Sequence, residues 1–183
     1  LAADSGKCIR FPVTEVRIFS GRTSTGVRCI RLANDQKIVS MTMIEHVELE
    51  TDVRDAYLRM SKARRRLPDE EGDMDEHIAE EADEGREGIS SQPLSLTDED
   101  LDALSGKEQF ILTVTENGYG KRTSAFEYRT TRRGGQGVVN IATEGRNGSV
   151  AASFPVEDGD QMMLVTDGGK IIRSPVADIR IAG

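Results

Sequence analysis

Aromatic side chains make up only 4% of this 183-residue sequence, and tryptophan is absent. Such a chain is poorly equipped to stack the bases of a single strand. Cysteine is nearly as scarce. Cys8 and Cys29 are too few for a disulfide framework, and with the isolated His46 and His77 they lack zinc spacing. No apolar run approaches the roughly 20 residues that cross a membrane, and no basic-then-apolar leader opens the chain. Leu1-Ala2-Ala3-Asp4 reads as the interior of a longer protein, and a reducing cytosol is the expected compartment. P-loops, dinucleotide glycine motifs and metal clusters are also missing. Tyr57, Tyr119 and Tyr128 read as packing residues, so the fragment offers no catalytic or metal site of its own.

What the chain does have is charge, unevenly spread. The formal net charge is −8. Residues 45–108 hold 21 acidic and 8 basic residues, leaving 11 acidic and 16 basic elsewhere. Glycine divides the same way, 4 in that stretch and 14 outside it. A Gly-rich, mildly basic part is interrupted by an acidic one, and the sign has to be read by segment.

The basic part repeats. Thr115-Glu116-Asn117-Gly118 returns as Thr166-Asp167-Gly168-Gly169, and Arg122 as Arg173, both at an offset of 51. Gly6-Lys7-Cys8-Ile9-Arg10 matches Gly169-Lys170-Ile171-Ile172-Arg173 at an offset of 163, and Glu15 and Arg17 match Glu127 and Arg129 at 112. The spacing fits a tandem repeat of about fifty residues with one large insertion after its first copy. Each copy reads as β. Phe110–Val114 and Gln161–Thr166 are apolar, β-branched runs, and Asn117-Gly118 predicts a two-residue hairpin turn. Val138–Ile141 and Ser149–Phe154 add strands, giving about four per repeat, the size of a propeller blade. The predicted organisation is a blade over residues 1–44, truncated at its start, an acidic insertion over 45–108, a blade over 109–168, and the truncated beginning of another over 169–183.

Within the insertion, the spacing of Leu49, Val53, Tyr57, Met60 and Leu67 predicts a helix over 48–67, supported by Glu50–Arg54 and Asp55–Arg59 pairs and stopped at Pro68. Residues 69–88 are nearly all charge and glycine and read as disordered. Thr97-x-x-Asp100 predicts a capping box on a short second helix. The insertion is either a solvated excursion or an acidic mimic of DNA. On the second reading, excising residues 48–105 keeps the fold and tightens DNA binding.

Arginine is the remaining chemistry. In a radial repeat, equivalent positions face equivalent directions, so basic residues in register draw a belt that suits a phosphate backbone. Thr131-Arg132-Arg133-Gly134-Gly135-Gln136-Gly137 is the sharpest local motif, because its bare backbone lets a phosphate come close. The alternative is ordinary surface pairing of arginine with Glu15, Glu127 and Asp178.

Glu116-Asn117-Gly118-Tyr119-Gly120-Lys121-Arg122-Thr123, then Gly137-Val138-Val139, then Asp160-Gln161-Met162-Met163 closely resemble the C-terminal domain of the DNA gyrase A subunit. Gly6-Lys7-x-x-Arg10-Phe11, with Thr25-Gly26-Val27-Arg28-x-Ile30-Arg31-Leu32, resembles the blade just before. The likeness covers residues 4–44 and 109–183. It implies an all-β, propeller-like β-pinwheel of which this chain holds the later blades, a partial disc. It further implies double-stranded DNA wrapped on a basic rim, in support of ATP-dependent negative supercoiling. In that family the breaking tyrosine lies in the N-terminal part of the protein, and the B subunit hydrolyses ATP. ATP and Mg2+ would belong to a holoenzyme of two A and two B subunits, in the cytoplasm at the nucleoid. The family's box, Gln-Arg-Arg-Gly-Gly-Lys-Gly, is matched with Thr131 for Gln and Gln136 for Lys, as the equivalent loop of a later blade. The alternatives are the corresponding C-terminal domain of topoisomerase IV and a propeller-like protein-interaction scaffold. The implied DNA-binding residues are Lys7, Arg10, Arg17, Arg28, Arg31, Lys121, Arg122, Arg129, Arg132, Arg133, Gly134, Gly135, Gly137, Lys170 and Arg173.

Overall fold

The computed structural model describes residues 1–65 and 94–182. The chain divides into two compact units, Leu1–His46 with Glu108–Gly183, and Val47–Lys107.

The first unit is β. Its strands are β1 (Ala2–Ala3), β2 (Lys7–Cys8), β3 (Ile38–Ser40), β4 (Phe110–Thr115), β5 (Gly120–Ser124), β6 (Val138–Val139), β7 (Val150–Val156), β8 (Gln161–Val165) and β9 (Ile171–Pro175). They form antiparallel sheets in the orders β3-β1-β2-β6, β5-β4-β7 and β8-β9. The repeat is visible in the backbone. Gly6, Gly118 and Gly169 all have left-handed φ, at 78°, 81° and 76°. Three 3-10 turns follow at the same offsets, Val13–Glu15, Ala125–Glu127 and Val176–Asp178. Even the joints repeat: a parallel bridge links Arg10 to Thr130 and another links Arg122 to Ile181.

Sheets and sequence repeats do not share boundaries. β6 lies in the second repeat but pairs with β2 of the first, Lys7 opposite Val139 and Cys8 opposite Val138. The first sheet therefore takes its fourth strand from the next repeat. The hairpin turns also differ from expectation. The Gly118 N–H bonds to the Thr115 carbonyl at 2.9 Å, so the turn centres on Glu116-Asn117. Gly118 follows it in the left-handed position, as in three-residue hairpin loops. The Gly6 N–H to Ala3 carbonyl and Gly169 N–H to Thr166 carbonyl bonds repeat this, at 3.1 and 3.0 Å.

β4 is the central strand of its sheet and is buried on both faces. Leu112 and Val114 pack with Val156 of β7 and with Val176, which the third repeat supplies. Full burial of a leucine such as Leu112 contributes about 1.5–3 kcal/mol. The opposite face pairs Ile111 with a buried polar chain. Ser153 Oγ and Thr113 Oγ1 lie 2.9 Å apart, and Asn140 Nδ2 donates to Thr113 Oγ1 at 2.6 Å. The Tyr128 hydroxyl donates to Asn140 Oδ1 at 2.6 Å and lies 2.6 Å from Thr123 Oγ1. With its own proton spent on Asn140, Tyr128 accepts from Thr123. Every link is satisfied, as a buried network requires. Burial pushes the Tyr128 phenol and the Cys8 thiol above their ordinary values, so both are neutral packing groups. Pro155 sits on β7, the edge of this sheet, where a missing N–H costs no ladder bond.

The second unit holds two helices, α1 (Thr51–Arg65) and α2 (Asp98–Ser105). α1 buries Ala56, Tyr57 and Ser61. Arg54 turns to its neighbour Asp55 at 2.8 Å and Arg59 caps the Leu94 carbonyl at 2.6 Å, in place of the expected pairs four residues apart. Thr97 and Asp100 form a reciprocal capping box on α2. The segment expected to be disordered, residues 69–88, lies outside the described residues. Among the described residues, no helix is long and apolar enough to cross a membrane.

The β unit holds the two ends of this insertion together, because the Glu45 N–H donates to Gln109 Oε1 at 2.7 Å. Replacing residues 47–107 by a four-residue Gly/Ser linker is therefore expected to leave the β unit folded. Shortening the loop lowers its closure cost by only about 2.4 kcal/mol. The check is a thermal melt by circular dichroism, in which the β transition should stay or rise; its loss would show that the insertion is structural.

Candidate nucleic-acid interface

The Arg-Gly loop Thr131–Gly137 lies along repeat one. The Gly134 N–H donates to the Cys29 carbonyl at 2.6 Å, and the Arg31 N–H donates to the Gly135 carbonyl at 2.8 Å, closing a parallel bridge between Ile30 and Gly135. Upstream, the Thr131 N–H and hydroxyl both donate to the Arg10 carbonyl, at 2.8 and 3.2 Å. Gly137 has φ +77°, and a Cβ there would stand 2.6 Å from the Cys8 carbonyl oxygen. The glycines thus serve a close passage between repeats as well as an open loop. The loop brings Arg28, Arg31, Arg129 and Arg132 to one side-by-side set of segments, all four exposed. Among the described residues, none of the four makes an ion pair.

Arg133 is exposed but engaged: Nε donates to the Glu15 carbonyl at 3.0 Å and Nη1 to the Arg28 carbonyl at 3.1 Å.

The arginines in register separate into two sets by position in the repeat. Arg17, Arg129 and Arg180 each follow a 3-10 turn, and all three are exposed. Arg17 stacks on Phe19 at 4.5 Å. Arg10, Arg122 and Arg173 occupy the hairpins instead. Arg122 is 5% exposed, bonded to Asp158 and stacked on Phe110 at 5.3 Å. Its backbone carries the bridge to the third repeat. Arg10 is half-buried, donating to the Ala125 carbonyl at 3.0 Å and the Tyr128 carbonyl at 3.4 Å. Desolvation lowers its pKa. The Arg10 side chain ties repeat one to repeat two, the Arg122 side chain is engaged within repeat two, and the candidate interface is built without them. Arg173, their counterpart, is exposed on β9. Lys7 and Lys121 are half-buried on β2 and β5, while Lys170 is exposed in the last hairpin turn.

Asp158, the partner of Arg122, is not among the residues singled out by motif; it lies in the turn after β7, beside Gly159. Arg146 is exposed and stacks on Tyr119 at 5.1 Å, beside an Asn117 Nδ2 bond to its own carbonyl at 2.8 Å. It adds a cation to the hairpin end of repeat two.

The sequence matches the family described as DNA gyrase C-terminal domain, beta-propeller, over residues 1–45, 109–157 and 160–183. The DNA gyrase A subunit of Granulibacter bethesdensis is 45% identical over 186 residues, covering 100% of this chain and 20% of that protein. Its Rickettsia bellii counterpart is 42% identical, covering 100% of this chain and 19% of that protein. The Salmonella typhimurium protein is 34% identical, covering 100% and 14%. The chain thus spans about a fifth or less of the length of these relatives. Among solved structures, the C-terminal domain of DNA topoisomerase IV matches with a TM-score of 0.61. That match covers 99% of this chain and 38% of the other at 18% identity, a likeness of fold.

Proposed function

The chain belongs to the DNA gyrase C-terminal domain family of β-propellers, and from that premise we propose that it binds and wraps double-stranded DNA without acting on it chemically. It does so as part of a gyrase A subunit, joined to a second copy of the same protein and two B subunits. ATP and Mg2+ serve the holoenzyme elsewhere, and the work is negative supercoiling in the cytoplasm at the nucleoid. Gyrase is favoured over topoisomerase IV because relatives at 34–45% identity carry that name.

The observation that supports the reading is the exposed group Arg28, Arg31, Arg129 and Arg132, held on adjoining segments by the Arg-Gly loop. Guanidinium groups free of carboxylate partners neutralise phosphates, and each phosphate neutralised releases condensed counterions. Such contacts position the duplex and carry no base sequence.

The test is titration of the chain with two unrelated duplexes of about 40 bp across a range of salt. Four phosphate contacts give a slope of log K against log salt of about −3.6 or steeper. Both sequences should bind alike. A flat salt response, or strong preference for one sequence, would overturn the reading. In the same assay, the variant lacking residues 47–107 is expected to bind more tightly at low salt, as an acidic competitor would require.

A further inference from the structure

The two arginines of the loop do different things, and the second is spoken for inside the protein. Arg133 uses its backbone N–H on Glu15 Oε2 at 2.7 Å, its Nε on the Glu15 carbonyl and its Nη1 on the Arg28 carbonyl. Three donors from one residue grip both ends of the repeat-one stretch against which the loop runs. The next residue, Gly134, continues the grip through its bond to the Cys29 carbonyl. Arg132 carries no such bonds among the described residues and is exposed.

Resting on the DNA-binding reading, we infer that Arg133 and Glu15 form a positioning clamp: they fix the Arg-Gly loop on repeat one, so that Arg132, Arg28 and Arg31 meet the phosphates pre-arranged. Arg133 itself is not a phosphate contact. Glu15 is an acidic residue that strengthens the binding of a polyanion by ordering the cations around it. The chemistry is specific to the guanidinium fork. A lysine ammonium carries its three donors on one nitrogen and lacks the fork whose Nε and Nη1 separately meet the Glu15 and Arg28 carbonyls.

Surface charge alone predicts no change for Arg133→Lys and tighter binding for Glu15→Ala, which makes the test sharp. On the clamp, Arg133→Lys keeps the charge yet binds duplex DNA roughly 5- to 30-fold more weakly, the entropy of re-fixing about one backbone residue on binding. The salt slope stays unchanged, because no phosphate contact is removed. Glu15→Ala removes a negative charge and also weakens binding, whereas Glu15→Gln retains an acceptor and restores it. Hydrogen exchange of the free protein gives a second readout. The Gly134 and Arg31 amides should exchange faster in Arg133→Lys and Glu15→Ala. Wild-type affinity for Arg133→Lys, with tighter binding by Glu15→Ala, would overturn the inference. If the unaltered chain binds no duplex, the DNA reading falls, and the exchange rates at those two amides alone decide whether the clamp stands.

Discussion

Gly6→Ala is expected to lower the melting temperature of the β unit by roughly 10 °C more than the same change at Gly118 or Gly169, with about 1 kcal/mol shifting a domain of this size by a few degrees. The three glycines are equivalent positions of the repeat, with φ of 78°, 81° and 76°. A side chain in the left-handed region costs about 1–2 kcal/mol wherever it is placed. That cost is common to all three and cancels from the comparison. The space around them differs. A Cβ on Gly118 or Gly169 meets nothing within 4 Å. On Gly6 it would stand 2.1 Å from the Ile141 carbonyl oxygen and 3.0 Å from Thr143 Cγ2.

The crowding has a specific origin. The chain that leaves β6 passes over the first hairpin, where the Asn140 N–H donates to the Gly6 carbonyl at 2.8 Å. Alanine at position 6 pushes that chain away, and Asn140 with it. The polar network through Tyr128, Thr113 and Ser153 then loses its centre. Buried donors left without partners cost about 1–3 kcal/mol each, so a total of about 3–5 kcal/mol is reached from two or three such terms. Thermal melts of the three variants side by side check this; coincident curves would show that the strand exchange carries no stability.

The same comparison explains what was legible in the sequence. Local geometry repeats with the residues that need it, so Gly6, Gly118 and Gly169 announced the repeat and its offsets. The Thr97 capping box was legible for the same reason, since its donors and acceptors are three residues apart. The donated strand β6 was not, because Lys7 and Val139 are paired across an insertion and no local pattern records the pairing. The arginines show the limit most clearly. Register fixed which of them are equivalent but not which way each set faces. Arg17 and Arg129 follow 3-10 turns and are exposed. Arg122 lies on β5 over Phe110, and its partner Asp158 lies 36 residues away in sequence. The exposed set and the engaged set use the same residue type, and only tertiary structure separates them. Of the candidate interface, the loop and its flanking Arg28 and Arg31 came from motif, while the exclusion of Arg10 and Arg122 came from packing.

Neutralising Arg28, Arg31 and Arg132 together by Gln substitution is expected to weaken duplex binding by roughly 500-fold at 0.1 M salt, and hardly at all near 1 M. Each phosphate contact contributes about 0.9 to the salt slope, so three lost contacts make the slope shallower by about 2.7. The side chains are exposed and make no ion pairs among the described residues, so the fold should melt where the parent does. Arg122→Gln is the opposite case: it should lower the melting temperature and leave the slope alone. Wrapping is more demanding than binding. Bending a 20–30 bp site costs about 1–6 kcal/mol, and one phosphate contact at 0.1 M salt returns only about 1.2 kcal/mol. Four such contacts roughly match the bend, and one does not. The triple variant should therefore retain weak affinity for straight duplex while losing any linking-number change in nicked circles sealed in its presence. If that topological shift survives in the variant, the curvature is imposed by other cations, and the surface beside the Arg-Gly loop is not where the double helix bends.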